Sequence, residues 1–97
     1  MTLQTTSRFD KAFARLAVRD QRRVEVALTL FMDQPFHPAL RNHGLTGKLR
    51  GLRAISAGYD LRIVYEEEGG HARVLLLNTG IHDEVYRIST LNTGCWI

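Results

Sequence analysis

The sequence predicts an α+β fold, a small twisted and mainly antiparallel β-sheet with an N-terminal two-helix hairpin packed on one of its faces. Three observations predict it. Apolar residues recur with helical spacing twice in the first third of the chain. After Pro35 and Pro38 the pattern changes to strand-like alternation. Glycine, asparagine and aspartate then punctuate the chain at intervals that suit turns between strands. Ninety-seven residues leave room for one core, so 1–97 reads as a single domain. Apolar residues make up 44% of the chain, enough for a packed globule rather than a disordered segment.

In chain order, Thr2–Thr6 is short and β-branched and reads as an edge strand. Ser7 is a suitable N-cap for the helix that follows. Phe9, Ala12, Phe13, Leu16 and Ala17 lie at i, i+3, i+4, i+7 and i+8, one face of an amphipathic helix. Asp20 interrupts the pattern and can cap a second helix, in which Val24, Ala27, Leu28, Phe31 and Met32 repeat the spacing. The two stripes should meet each other and the sheet, with Phe13, Leu16, Leu28 and Phe31 in the core. Arg8, Lys11, Arg15, Arg19, Arg22 and Arg23 fall mostly off the stripes and read as a solvated face or a contact for RNA or an acidic partner. Pro35 and Pro38 end the second helix, and His37 between them reads as a loop residue.

His43 opens a loop that carries Gly44, Gly47 and Gly51. Leu52–Ala57 reads as a strand, Gly58-Tyr59 as a turn, and Leu61, Ile63 and Tyr65 alternate with Arg62, Val64 and Glu66 in the next strand. Glu66–Gly70 is an acidic hairpin loop. Val74–Leu77 is apolar at every position and is placed as the central, most buried strand, with Ile63, Val74 and Leu76 in the core, ended by Asn78-Thr79-Gly80. A helical turn over His82–Arg87 would bring His82 and Tyr86 to one side. The tail Ile88–Ile97 reads as a last strand or a cover over the core.

The charge is unevenly placed. From Arg41 to Arg62 there are five basic residues and one acid, a net +4, while the whole chain nets +3. Lys48, Arg50, Arg53 and Arg62 therefore read as a phosphate-binding surface. His43, Asp60 and His82 stand near the ends of predicted elements, where a shared cleft is possible. Two acid–base groups beside cations suit phosphodiester cleavage, in which one group takes a proton from a ribose 2′-hydroxyl and another protonates the leaving oxygen. The alternative is that His43 hydrogen-bonds a loop carbonyl and Asp60 closes a turn.

Other classes are excluded or disfavoured. Cys95 is the single cysteine, so no internal disulfide forms and a cytoplasmic location is expected. No apolar run is long enough to span a membrane, and no signal-peptide core is present. His37, His43, His71 and His82 lack metal-ligand spacing, and Cys95 has no histidine near it in sequence to make it a nucleophile. There is no P-loop and no dinucleotide fingerprint, so neither cofactor nor metal is expected.

Three stretches, NHGLTGKLRGLR, YDLRIVY and NTGIHDEVY, together resemble the RelE/ParE superfamily of bacterial toxins from type II toxin–antitoxin systems, and within it the YafQ-type ribosome-dependent mRNA endonucleases. The resemblance covers nearly the whole chain. It implies that His43, Asp60 and His82 are catalytic and that Tyr86 is an aromatic residue near the substrate. Arg62 resembles an active-site arginine of RelE-type members, and Lys48, Arg50 and Arg53 would join it on RNA. Two positions depart from the YafQ pattern: Ser56 stands in place of a histidine, and Asn78 in place of an arginine before Thr-Gly. The implied reaction is metal-independent cleavage of mRNA on the ribosome by 2′-hydroxyl attack. The implied partner is an acidic antitoxin encoded beside the toxin, and DNA binding would belong to that antitoxin. The superfamily also leaves open a ParE-like gyrase-inhibiting protein without nuclease activity, or an inactive relative.

Overall fold

The computed structural model describes residues 1–81 and 85. Strand β1 (Thr2–Thr5) leads into helices α1 (Ser7–Arg15) and α2 (Val18–Asp33). Four more strands follow: β2 (His43–Gly44), β3 (Arg53–Ser56), β4 (Leu61–Glu68) and β5 (Arg73–Ile81). They form one five-stranded sheet in the order β1-β5-β4-β3-β2. The β1–β5 pair is parallel and the other three pairs are antiparallel. This is the predicted class, with the helix pair at the N-terminus on one face.

Both predicted helix caps move. Thr6, not Ser7, caps α1: its hydroxyl accepts from Phe9 N (3.1 Å) and donates to the carbonyls of Leu76 (3.0 Å) and Leu77 (3.2 Å). Thr6 is still extended (φ −99°, ψ 163°), so one hydroxyl ends β1, starts α1 and ties both to β5. Asp20 does not cap α2, which begins at Val18 with Ala17 before it. It lies in the first turn instead, where a carboxylate suits the positive end of the helix, and pairs with Arg23 at 3.3 Å. Gln21 Nε2 donates to the carbonyl of Phe13 (3.0 Å), which already accepts from Leu16 N (3.1 Å), so α2 is tied to the capped end of α1.

The centre of the sheet is β4, not β5, although both are interior strands. β5 also continues through Asn78-Thr79-Gly80 to Ile81. Its ladder with β4 crosses a β-bulge between Val64 and Tyr65. Leu76 opposes Tyr65 and Asn78 opposes Val64, so Leu77 is the extra residue and the ladder carries on beyond it.

Two apolar clusters sit on the two faces. Under the helices, Phe9, Val24, Ala27 and Phe31 pack on Ile55, Ile63, Tyr65, Val74 and Leu76, with Phe13, Leu16 and Leu28 partly buried at the margin. On the other face Leu49, Leu52, Ala54, Val64, Leu77 and Val85 form a smaller cluster. Val64 falls in the alternating set with Arg62 and Glu66 yet is wholly buried, because Leu49 and Leu52 of the preceding loop pack with it. That loop is more ordered than its glycines suggest. It contains 3₁₀ turns at Pro38–Leu40 and Gly47–Leu49, and His43 and Gly44 pair with Ala54 and Arg53 as a short strand.

Candidate functional site

Residues directly opposed on neighbouring strands share a face of the sheet. One row runs His43, Ala54, Val64, Asn78, and a second runs Ser56, Arg62, Gly80. Ala54 and Ser56 are two apart on β3, so the rows are about 7 Å apart on the same face. That face is the one α2 leaves uncovered. His43, Ser56 and Arg62 are thus brought to one surface from three strands. Asp60 lies in the β3–β4 turn, next to Leu61, whose partner across the sheet is Ile81, the last residue of β5. The predicted site residues His82 and Tyr86, and the predicted helical turn that carries them, lie outside the described residues.

His43 is exposed, and its Nδ1 lies 2.8 Å from the carbonyl oxygen of Arg41. A carbonyl only accepts, so Nδ1 carries the proton and the neutral ring keeps its lone pair on Nε2. Arg41 takes the left-handed conformation (φ 49°), which makes this reach of two residues possible. The bland reading of His43, a ring bonded to a loop carbonyl, therefore describes its contact correctly, and the same contact fixes the ring as an outward-facing acceptor. Asp60 is exposed and makes no hydrogen bond or ion pair among the described residues. It does not close the turn; the backbone bond from Ala57 N to Leu61 O (2.8 Å) does.

The four predicted RNA-binding cations do not form one cluster. Lys48 and Arg50 are exposed on and beside the second 3₁₀ turn. Arg62 is half-buried, and its Nη1 donates to Ser56 Oγ (3.3 Å), Gly58 O (3.2 Å) and Leu61 O (3.1 Å). Ser56 thus helps to hold Arg62, and Ser56 Oγ itself donates to Gly58 O (3.0 Å). Arg53 pairs with Tyr65 and faces the helix side. Its Nε donates to Asn42 Oδ1 (2.9 Å), and its guanidinium lies 5.5 Å from the ring centroid of Phe36.

Arg53 belongs to a second polar cluster that sequence reasoning missed. Asn42 Oδ1 also accepts from the Tyr65 hydroxyl (3.0 Å), while Asn42 Nδ2 donates to Pro35 O (2.8 Å). With its proton given to Asn42, the Tyr65 oxygen accepts from His71 Nε2 at 2.8 Å. His71 Nδ1 in turn lies 2.7 Å from Glu67 Oε2, a buried oxygen that no well-aligned hydrogen bond reaches. Phe31 packs edge-on against both rings, at 4.9 Å from Tyr65 and 5.6 Å from His71. Burial raises the Tyr65 phenol above its usual 10.0, against the opposing pull of its Asn42 and Arg53 contacts. Tyr65 has no exposed surface, so substrate cannot reach it. The available signal was Tyr65 and Glu67 at i, i+2 on one strand face with His71 just across the turn.

A groove of about 870 Å³ lies between α1 and the end of β5, lined by Arg8, Lys11 and Arg15 and by Asn78 and Gly80, where the two rows end. It adjoins the last residues of β5 but does not contain His43 or Asp60. No group of three His, Cys, Asp or Glu side chains among the described residues is placed to hold a metal ion. No helix among them is long and apolar enough to cross a membrane.

Comparison with known proteins places the fold. The family model described as the bacterial toxin of type II toxin-antitoxin system, YafQ, matches residues 1–87. The crystal structure of YafQ from E. coli is similar with a TM-score of 0.74 at 17% identity, covering 87% of this chain and 96% of that one. The YoeB/ParE toxin from Agrobacterium tumefaciens gives 0.70 at 19% identity, covering 84% and 99%. The toxin in the E. coli DinJ-YafQ toxin-antitoxin complex gives 0.71 at 18% identity, covering 87% and 94%. At these identities the likeness is one of fold. No curated protein sequence matches the chain.

Proposed function

This chain belongs to the YafQ family of bacterial toxins of type II toxin–antitoxin systems, and we propose that it is a ribosome-dependent endoribonuclease that cleaves mRNA by attack of the ribose 2′-hydroxyl. The observation that carries the proposal is the His43 tautomer. With Nδ1–H committed to the Arg41 carbonyl, Nε2 is a free, exposed acceptor on the uncovered face of the sheet. A general base needs that arrangement.

In the proposed step, His43 Nε2 takes the proton of the 2′-hydroxyl and the 2′-oxygen forms a bond to phosphorus. The bond from phosphorus to the 5′-oxygen breaks, and that oxygen takes a proton from His82. The products are a 2′,3′-cyclic phosphate end and a free 5′-hydroxyl. Asp60 orients the ribose or a histidine, since an ordinary aspartate, with a pKa near 3.9, is a weak base for a hydroxyl. Lys48 and Arg50 contact the RNA backbone. Arg62 offers positive charge from beneath, anchored by Ser56 and two carbonyls, so its position is set before substrate arrives. Tyr86 contacts a base of the cleaved codon. An acidic antitoxin holds the toxin inactive, and the basic residues of α1 and of the loop before β3 give it two surfaces to choose from.

The test is incubation of the pure protein with translating ribosomes and mapping of the mRNA ends. Cleavage should leave cyclic or 3′-phosphate ends and should persist in EDTA at levels that leave ribosomes intact. His43→Ala and His82→Ala should each slow it by at least about 100-fold while antitoxin binding survives. A wild-type protein that cuts no mRNA but stalls gyrase would replace this reading with the ParE-like one.

A further inference from the structure

Tyr59 is the most exposed of the large apolar side chains among the described residues, at 97% of its full surface. The other exposed aromatic, Phe36, is 62% exposed and lies against Arg53 and His71. No ring, cation or hydrogen-bond partner among the described residues meets Tyr59. It is not on a loose loop. The turn that carries it is closed by Ala57 N to Leu61 O and cross-braced by Ser56 Oγ and Arg62 Nη1, which converge on the carbonyl of Gly58. Gly58 takes φ +148°, and a Cβ there would sit 3.4 Å from Arg23 Cδ, so the α2 side chain also flanks the turn. Backbone hydrogen bonding and side-chain bracing thus hold a bare aromatic ring next to Asp60.

We infer that Tyr59 is a stacking platform for an RNA base beside the phosphate addressed by His43 and Asp60. An aromatic face left wholly in water is poorly used by the fold, whereas base stacking buries it and tolerates any base. A rigid turn limits the ordering cost of that contact. Arg62, on the same face of the sheet as His43, supplies positive charge for an adjoining phosphate. Tyr59 therefore sets where RNA lies rather than which base is read. This inference rests on the ribonuclease reading above.

The test uses two measurements. In cleavage of ribosome-bound mRNA, Tyr59→Ala should lower kcat/KM by about 5- to 150-fold, the range of one lost base stack, mainly through KM. Tyr59→Phe and Tyr59→Trp should keep wild-type values, and Tyr59→Leu should not. The second measurement uses ribosomes carrying an uncleavable mRNA, 2′-deoxy at the cleavage position, with 2-aminopurine as the adjoining base. Wild-type protein should quench its fluorescence and Tyr59→Ala should not, whether or not the wild type cleaves. Unchanged cleavage and quenching in Tyr59→Ala, or full rescue by leucine, would overturn the inference. Loss of antitoxin binding with quenching intact would overturn it too, and assign the ring to the antitoxin. Quenching by a wild-type protein that fails to cleave would sustain the stacking and sink only the nuclease reading; failure of both would sink both.

Discussion

Two ends of the same sheet hold nearly the same residue types in opposite states. At the β4–β5 end His71 links a tyrosine and a carboxylate, 2.8 Å from Tyr65 and 2.7 Å from Glu67, with Phe31 against both rings. At the β3–β4 end Tyr59 and Asp60 stand in solvent with no side-chain partner among the described residues, and His43, one strand over, uses only Nδ1. The first set resembles a proton relay, but its tyrosine has no exposed surface and the polar atoms of Tyr65 and His71 are engaged with their neighbours. The second is open and has unused acceptors. Burial and the direction of each hydrogen bond, not the identity of the side chains, separate a brace from a candidate catalytic surface.

The comparison breaks most sharply at the two histidine sites. His43→Ala should reduce mRNA cleavage by about 10²–10⁴-fold with little change in thermal stability. A large fall in melting temperature with cleavage intact would mean that His43, like His71, is structural. The helix-covered face should respond in the reverse sense. Phe31, fully buried between Val24, Ala27 and the Tyr65 ring, should cost about 3–5 kcal/mol of stability on replacement by alanine, as read by denaturant unfolding. The brace itself is worth less. Tyr65→Phe removes the bond to Asn42 and leaves His71 Nε2 without its acceptor, a loss of about 1–3 kcal/mol, with wild-type cleavage of mRNA by the folded protein.

The Tyr65 phenol also gives that end of the sheet a pH signature. Its folded-state value is raised above 10.0, so the folded protein holds the proton more tightly than the unfolded chain. The resulting stability is fully present below about pH 10 and is lost as pH rises through the folded value. Alkaline unfolding curves should therefore be shallower above pH 10 in Tyr65→Phe than in wild type; identical slopes would remove Tyr65 as the cause. The smallest effect belongs to the open face. Replacing Lys48 and Arg50 together should weaken ribosome or RNA binding and flatten its salt dependence, without changing stability. An unchanged salt slope would make both lysine and arginine ordinary solvated charges.

The sequence by itself determined the class of fold, the order of elements and the face of each helix, because helical and strand periodicities are local and the apolar stripes are long. It also marked His43, Asp60, Lys48 and Arg50 as surface, and they are exposed, since glycines and polar residues between apolar runs signal turns. Other features needed the third dimension. Thr6 displaced Ser7 as a cap because its hydroxyl could also reach β5, 70 residues away. β4 took the centre because strand order depends on pairings no local pattern encodes. Arg53 and Arg62 looked equivalent to Lys48 and Arg50 as charges. Register sent Arg53 to the helix side to hold Asn42 beside Tyr65, and set Arg62 opposite Ser56, whose hydroxyl helps to brace it. The tautomer of His43 was equally illegible, because it depends on one carbonyl turned by a left-handed residue. Composition and spacing specify which groups are available; only packing decides which of them are spent on holding the fold and which remain free to act.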